Sequence, residues 1–233
     1  MQEIKMNKEY LDKIFKEYNE LYYEIPEIQE YIEVDKRDCA AAQFNTLELY
    51  NQKYILKVNK QLDESKIYKG IFFHEFTHVY DSTQLLNYPL EDFIKLMYIY
   101  SEVHASEVEM DIHLKIENFS YKKYVDKGIV NLTESFILPN DPILKGEVYC
   151  DERLLYYCVG YLTSLKKHNI EYVYSYKYVP DMFRSLFIEI TEYFLSTTKY
   201  NYNVLLNYQI KLHNLVKTTI KEHIEKYNKP NTN

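Results

Sequence analysis

Apolar residues recur at helical spacing within residues 7–34, at Leu11, Ile14, Phe15, Tyr18, Leu21 and Tyr22, which predicts an amphipathic helix. Pro26 interrupts it, and a second short helix is expected beyond. From Phe44 the period shortens to two. Phe44-Asn-Thr-Leu-Glu-Leu-Tyr50 and Lys53-Tyr-Ile-Leu-Lys-Val-Asn59 alternate, and Asn51-Gln52 between them reads as the turn of an antiparallel hairpin. Helical spacing returns at 66–82, behind the helix-start residues Asp63-Glu-Ser65, and again over about 91–117, behind Asn87-Tyr-Pro-Leu-Glu-Asp92. Residues 121–148 read as loop, with Pro139-Asn-Asp-Pro142 the clearest breaker, and helices are expected at about 150–167, 181–196 and 202–227. The pattern predicts a mainly α chain with one small antiparallel sheet (α+β). It divides into an N-terminal helical segment (1–43), a core (44–120) and a mostly helical C-terminal part (121–233).

The formal net charge of −7, from 28 Lys+Arg against 35 Asp+Glu, argues against a nucleic-acid binder, because phosphate contacts need clustered cations. Only 4 glycines are present, so a Gly-rich phosphate cradle is not expected. The first ten residues carry charges throughout, and no stretch approaches the roughly 20 apolar residues of a spanning helix. The expectation is a cytoplasmic protein with no membrane association. Three cysteines, Cys39, Cys150 and Cys158, make no disulfide framework. On one helix Cys150 and Cys158 would stand about 12 Å apart, beyond the reach of a disulfide. The tyrosines of Tyr172-Val-Tyr-Ser-Tyr-Lys-Tyr178 read as packing residues, and the lysines of the last helix as a solvated face.

One stretch carries chemistry. His74-Glu75-Phe76-Thr77-His78 has the spacing His-Glu-x-x-His, with a chance expectation of about 0.02 in a chain of this composition. On a helix, residues four apart share a face, so both imidazoles can reach one metal ion. Glu75 is turned by about 100°, which places it to work on a water at the metal rather than to ligate. Two neutral imidazoles and a carboxylate suit zinc, with a fourth position open, and Glu75 is positioned as general base and proton shuttle. The plain alternative is a pair of core histidines satisfied by their neighbours.

The third ligand is sought on the following helix, in Ser101-Glu-Val-His-Ala-Ser-Glu-Val-Glu109. Glu102 is followed by the small Ala105 and Ser106, which would let two helices approach closely. Glu107 lies among Leu96, Tyr100, Val103, Met110 and Leu114 on a helical wheel, and a carboxylate on an apolar face needs a partner. His104 is a third candidate. The residues alone leave this choice open.

With its uncharged flanks, Ile71 to Tyr80 resembles the zincin metallopeptidases of the glutamate-ligand branch (gluzincins). The surrounding sequence is most similar to the ImmA/IrrE-type metallo-endopeptidases of bacteria and their mobile elements, over roughly residues 44–110. That family has Glu-x-x-Ala on the helix after the motif, matched here by Glu102-Val-His-Ala105. Phe76-Thr77 stands where the family usually has Leu-Gly, and the family's continuation after Glu-x-x-Ala is missing. The resemblance implies a zincin-like core at 44–120, one Zn2+ per chain held by His74, His78 and Glu102, catalysis by Glu75, and a protein or peptide substrate. It also implies that an edge strand, Tyr54–Val58 or Leu47–Tyr50, binds an extended peptide. A non-proteolytic metal-binding effector is the alternative function.

Overall fold

The computed structural model describes residues 8–35, 41–62, 66–127, 153–172, 179, 181–197 and 199–228. Helix α1, Lys8–Leu21, buries Leu11, Ile14 and Tyr18 on one stripe, and the Tyr18 ring meets Phe73 and Phe76 edge-on. The chain then departs from helical expectation. Past Pro26, Glu30–Val34 is a strand, β1, in keeping with its Tyr-Ile-Glu-Val content. It pairs in parallel with β3, Ile55–Asn59, from Glu30↔Ile55 to Val34↔Asn59. Strand β2, Ala42–Gln43, pairs antiparallel with the other side of β3 through Ala42↔Val58 and Gln43↔Lys57.

The expected hairpin is therefore replaced by a mixed sheet of order β1-β3-β2. Its intended first strand is a helix, α2, Thr46–Tyr50. Local capping overrides the alternation: the Asn45 side chain accepts from the backbone N–H of Leu47 (3.0 Å) and Glu48 (3.1 Å). Gln52 adopts the left-handed conformation at φ 56°, and the chain returns into β3.

Helix α3, Lys66–Leu85, carries the motif and is the core of the molecule. Phe72, Phe73, Phe76 and Val79 are fully buried, and so are Thr77, Asp81 and Ser82. Helix α4, Leu90–Leu96, begins behind Pro89 and runs through a π-helical turn, Met97–Ser101, into α5, Glu102–His113. The expected single helix over 91–117 thus contains a π turn and stops at His113. Residues 121–127, expected as loop, are helical (α6). Among the described residues three further helices follow: α7, Arg153–Lys167; α8, Asp181–Ser196; and α9, Tyr202–Asn228.

The most extensive contacts are α5 on α7 and α3 on α5. Gly160 permits the first: a Cβ there would lie 2.4 Å from the Val103 carbonyl oxygen and 2.6 Å from Ser106 Cβ. A clamp reinforces it, because Asp111 on α5 accepts from Ser164 (2.5 Å) and Lys167 (3.1 Å) on α7, and His168 lies 3.0 Å away. Helix α5 thereby sits between the motif helix and α7, with one face for each. Cys158 is buried as a free thiol. Cys39, Cys150, Asp63–Ser65, the 139–142 breaker and the tyrosines of 173–178 lie outside the described residues. Among the described residues no helix is long and apolar enough to cross a membrane.

Candidate metal centre

His74 and His78 stand one turn apart on α3, with ring centroids 4.7 Å apart and planes at 84°. Helix α5 brings Glu102 to face both. Glu102 Oε2 lies 3.4 Å from His74 Nε2 and 3.6 Å from His78 Nε2. These distances are long for charge-assisted hydrogen bonds. They are close to the edge of a tetrahedron whose metal–ligand bonds are about 2.05 Å, which is roughly 3.3 Å. Glu102 Oε2 is buried and accepts no hydrogen bond. A buried carboxylate oxygen without a donor is costly, and a cation shared with the two imidazoles removes that cost. Among the described residues, His74, His78 and Glu102 are the group that could hold a metal ion. The donor set of two imidazoles and one carboxylate fits zinc.

The outer nitrogens are held as well. His74 Nδ1 lies 3.1 Å from Glu109 Oε2, while Glu109 Oε1 accepts from Tyr124 Oη at 2.7 Å. His78 Nδ1 lies 2.7 Å from Ser101 Oγ. Both bonds turn the Nε2 atoms toward Glu102.

The other candidates for third ligand are engaged elsewhere. Glu107 faces α7 and pairs with Lys167 at 3.1 Å. His104 Nδ1 lies 2.8 Å from Asp81 Oδ1, and its Nε2 lies 3.0 Å from the Tyr23 hydroxyl. Comparisons with protein-family models, curated proteins and solved structures return no match. The geometry of the site therefore carries the functional argument.

Charge in this buried site is strongly shaped by its neighbours. Burial opposes a proton on His74, but Glu102 and Glu109 on its two sides overcome that and raise its pKa to about 10. Burial also dominates at His78, lowering it to about 3. Burial opposes ionisation of Glu102 too, yet the two imidazoles hold its pKa below the ordinary carboxylate value. Glu75 is pushed up to about 8 by burial, against the opposing pull of His74 and the Phe44 N–H. That N–H donates to Glu75 Oε2 at 3.0 Å, fixing the carboxyl just after β2.

His74, Glu75, His78 and Glu102 line a cleft of about 370 Å³. Its walls are Ala41–Phe44 at the edge of the sheet, Met97 and Tyr98 from the π turn, and Arg153, Tyr157 and Tyr161 from α7. Tyr157 meets the His74 ring edge-on at 5.6 Å. A larger groove, about 730 Å³, runs between α1 and β1 and shares none of the motif residues. Of the two strands expected at the cleft, Leu47–Tyr50 is helical and β3 is the central strand, so β2 is the sheet edge beside the metal centre.

The sequence offers Glu109 and Ser101 no role in the site, and it does not single out Tyr157 among the 27 tyrosines. Glu109 follows Glu102 by two helical turns and so lies on its face, a signal the spacing did contain. Ser101 simply precedes Glu102. Tyr157 had no local signal, because its place depends on how α7 crosses α5.

Proposed function

We propose that the chain is a zinc-dependent endopeptidase of zincin type, similar to the ImmA/IrrE metallo-endopeptidases, with His74, His78 and Glu102 as ligands and Glu75 as general base. The observation that carries this reading is the donorless Glu102 Oε2 set 3.4 and 3.6 Å from two imidazole nitrogens. Zinc bound there would act as a Lewis acid on a peptide carbonyl and make a water nucleophilic near neutral pH.

The chain's own residues supply the rest. A cation beside Glu75 lowers its raised pKa into the general-base range, so its carboxylate takes the proton of the attacking water and passes it to the leaving amine. The Phe44 N–H keeps that carboxylate aimed into the cleft. Tyr157 and Arg153 line the cleft from α7 as donors for the charge that develops on the carbonyl oxygen. Strand β2 offers main-chain groups to an extended peptide beside the metal centre.

The test measures zinc per chain and cleavage of an unfolded protein such as casein. Wild type should carry about one zinc and turn over. His78→Ala should lose the metal, and Glu75→Gln should keep the metal and lose cleavage. Full cleavage by Glu75→Gln removes it as the base, and zinc without cleavage in wild type favours the non-proteolytic effector.

A further inference from the structure

Asp81 lies on α3 three residues past His78 and is fully buried, as is Ser101. Its two oxygens have separate occupants. Oδ2 accepts from Ser101 Oγ at 2.8 Å, and Oδ1 lies 2.8 Å from His104 Nδ1. Ser101 Oγ in turn lies 2.7 Å from His78 Nδ1.

A serine hydroxyl has one hydrogen, and that of Ser101 points at Asp81 Oδ2. The Ser101 lone pair must therefore accept from His78. That fixes the proton of the neutral His78 ring on Nδ1 and leaves the Nε2 lone pair toward Glu102. The opposite tautomer would set an N–H against the ligand position and leave the Ser101 lone pair without a donor. His104, bonded through Nε2 to the Tyr23 hydroxyl at 3.0 Å, holds the other end of the carboxylate in place.

The geometry points to Asp81 as a positioning residue that acts through Ser101 to set the tautomer of His78, and so to prepare one of the three nitrogen and oxygen donors for a divalent cation. This rests on the metal-centre reading above but makes a claim of its own: a buried carboxyl group one side chain removed from the ligand sets the ligand's tautomer. Both residues sit beside ligand positions in the sequence, Asp81 after the second histidine and Ser101 before Glu102, so one pair of helices carries ligands and relay together.

Two measurements decide it. The first is ring 15N spectroscopy of metal-free wild type and Ser101→Ala near neutral pH. Wild type should show His78 as the Nδ1–H tautomer, and Ser101→Ala should show a shift toward Nε2–H. An Nε2–H ring in wild type, or an unchanged ring in Ser101→Ala, overturns the proposal.

The second is a double-mutant cycle in zinc affinity with Asp81→Asn, Ser101→Ala and both together. Each single change should weaken binding roughly 10–100-fold. The double variant should bind about as weakly as the weaker single, because Asp81 has no route to His78 once Ser101 is gone. Wild-type affinity in either single variant, or effects that multiply, overturns it. Failure of the wild type itself to bind zinc would remove the metal reading instead, and the tautomer measurement would still decide the relay.

Discussion

Zinc entering this site must expel a proton, and the number of protons measures how the buried charges are arranged. In the metal-free protein His74 lies between Glu102 and Glu109 and keeps its proton up to about pH 10. His78, lowered to about 3 by burial, has none to give at neutral pH. Stripping His74 at pH 7 costs about 4 kcal/mol, from three pH units at 1.36 kcal/mol each. Zinc affinity should therefore fall about tenfold for each unit by which pH drops below about 10, through this group alone. Glu75, raised to about 8, is mostly protonated at pH 7 and adds to the count as the cation pulls its pKa down. Zinc binding should release at least the His74 proton at pH 7, with Glu75 and the zinc-bound water, whose pKa falls to about 7, adding to it. Titration calorimetry in buffers of different ionisation heat reads this number directly. Release of no proton at pH 7 would mean that His74 meets the metal already neutral, and the argument from its two flanking carboxylates would be refuted.

Other outcomes follow from the same geometry. Glu102→Gln should cost the protein most of its zinc, whereas Glu107→Gln, which breaks only the Lys167 pair, should leave metal content unchanged; elemental analysis separates them. Ionising Glu75 inside the fold is unfavourable, so the metal-free wild type should lose stability as pH rises from the ordinary glutamate value through about 8. Glu75→Gln lacks that loss and should be the more stable protein at pH 9, on the order of a few kcal/mol in urea titrations. Equal stability at pH 9 would remove the desolvated carboxylate from the account. Gly160→Ala should destabilise by roughly 1–3 kcal/mol in thermal unfolding, because its methyl meets the Val103 carbonyl at 2.4 Å and α5 must part from α7. Cys158, buried with its pKa pushed up to about 12 by desolvation, should resist thiol reagents until the protein unfolds.

The helices of the core were legible because their signals are local. Leu11, Ile14 and Tyr18 repeat at helical spacing and are buried together, and the His74–His78 spacing leads directly to two rings on one face. The sheet was misread where a short-range bond outweighs a pattern. Alternation over Phe44–Tyr50 is real, but Asn45 caps a helix through two backbone donors. Glu30–Val34 gave too short a signal to show that its partner would be β3, about 25 residues on, in parallel. The carboxylate proposed as third ligand marks the boundary most clearly. A wheel counts apolar neighbours and so makes Glu107 a candidate, yet Glu107 lies against Lys167 from a helix 60 residues away. Glu102 and its surroundings depend on which helix passes in front, and that is a property of tertiary packing.

The π turn at Met97–Ser101 joins two helical stretches that answer to different neighbours: α4 contacts α9, while α5 is locked between α3 and α7. A π turn amounts to an α-helix with one residue inserted. Deleting a residue from it would rewind the turn and swing Glu102 about 100° relative to α4. A regular α-helix through this turn could keep both sets of core contacts only by giving up the placement of Glu102. One residue in this turn thus separates a helix that only packs from one that turns Glu102 toward the two histidines.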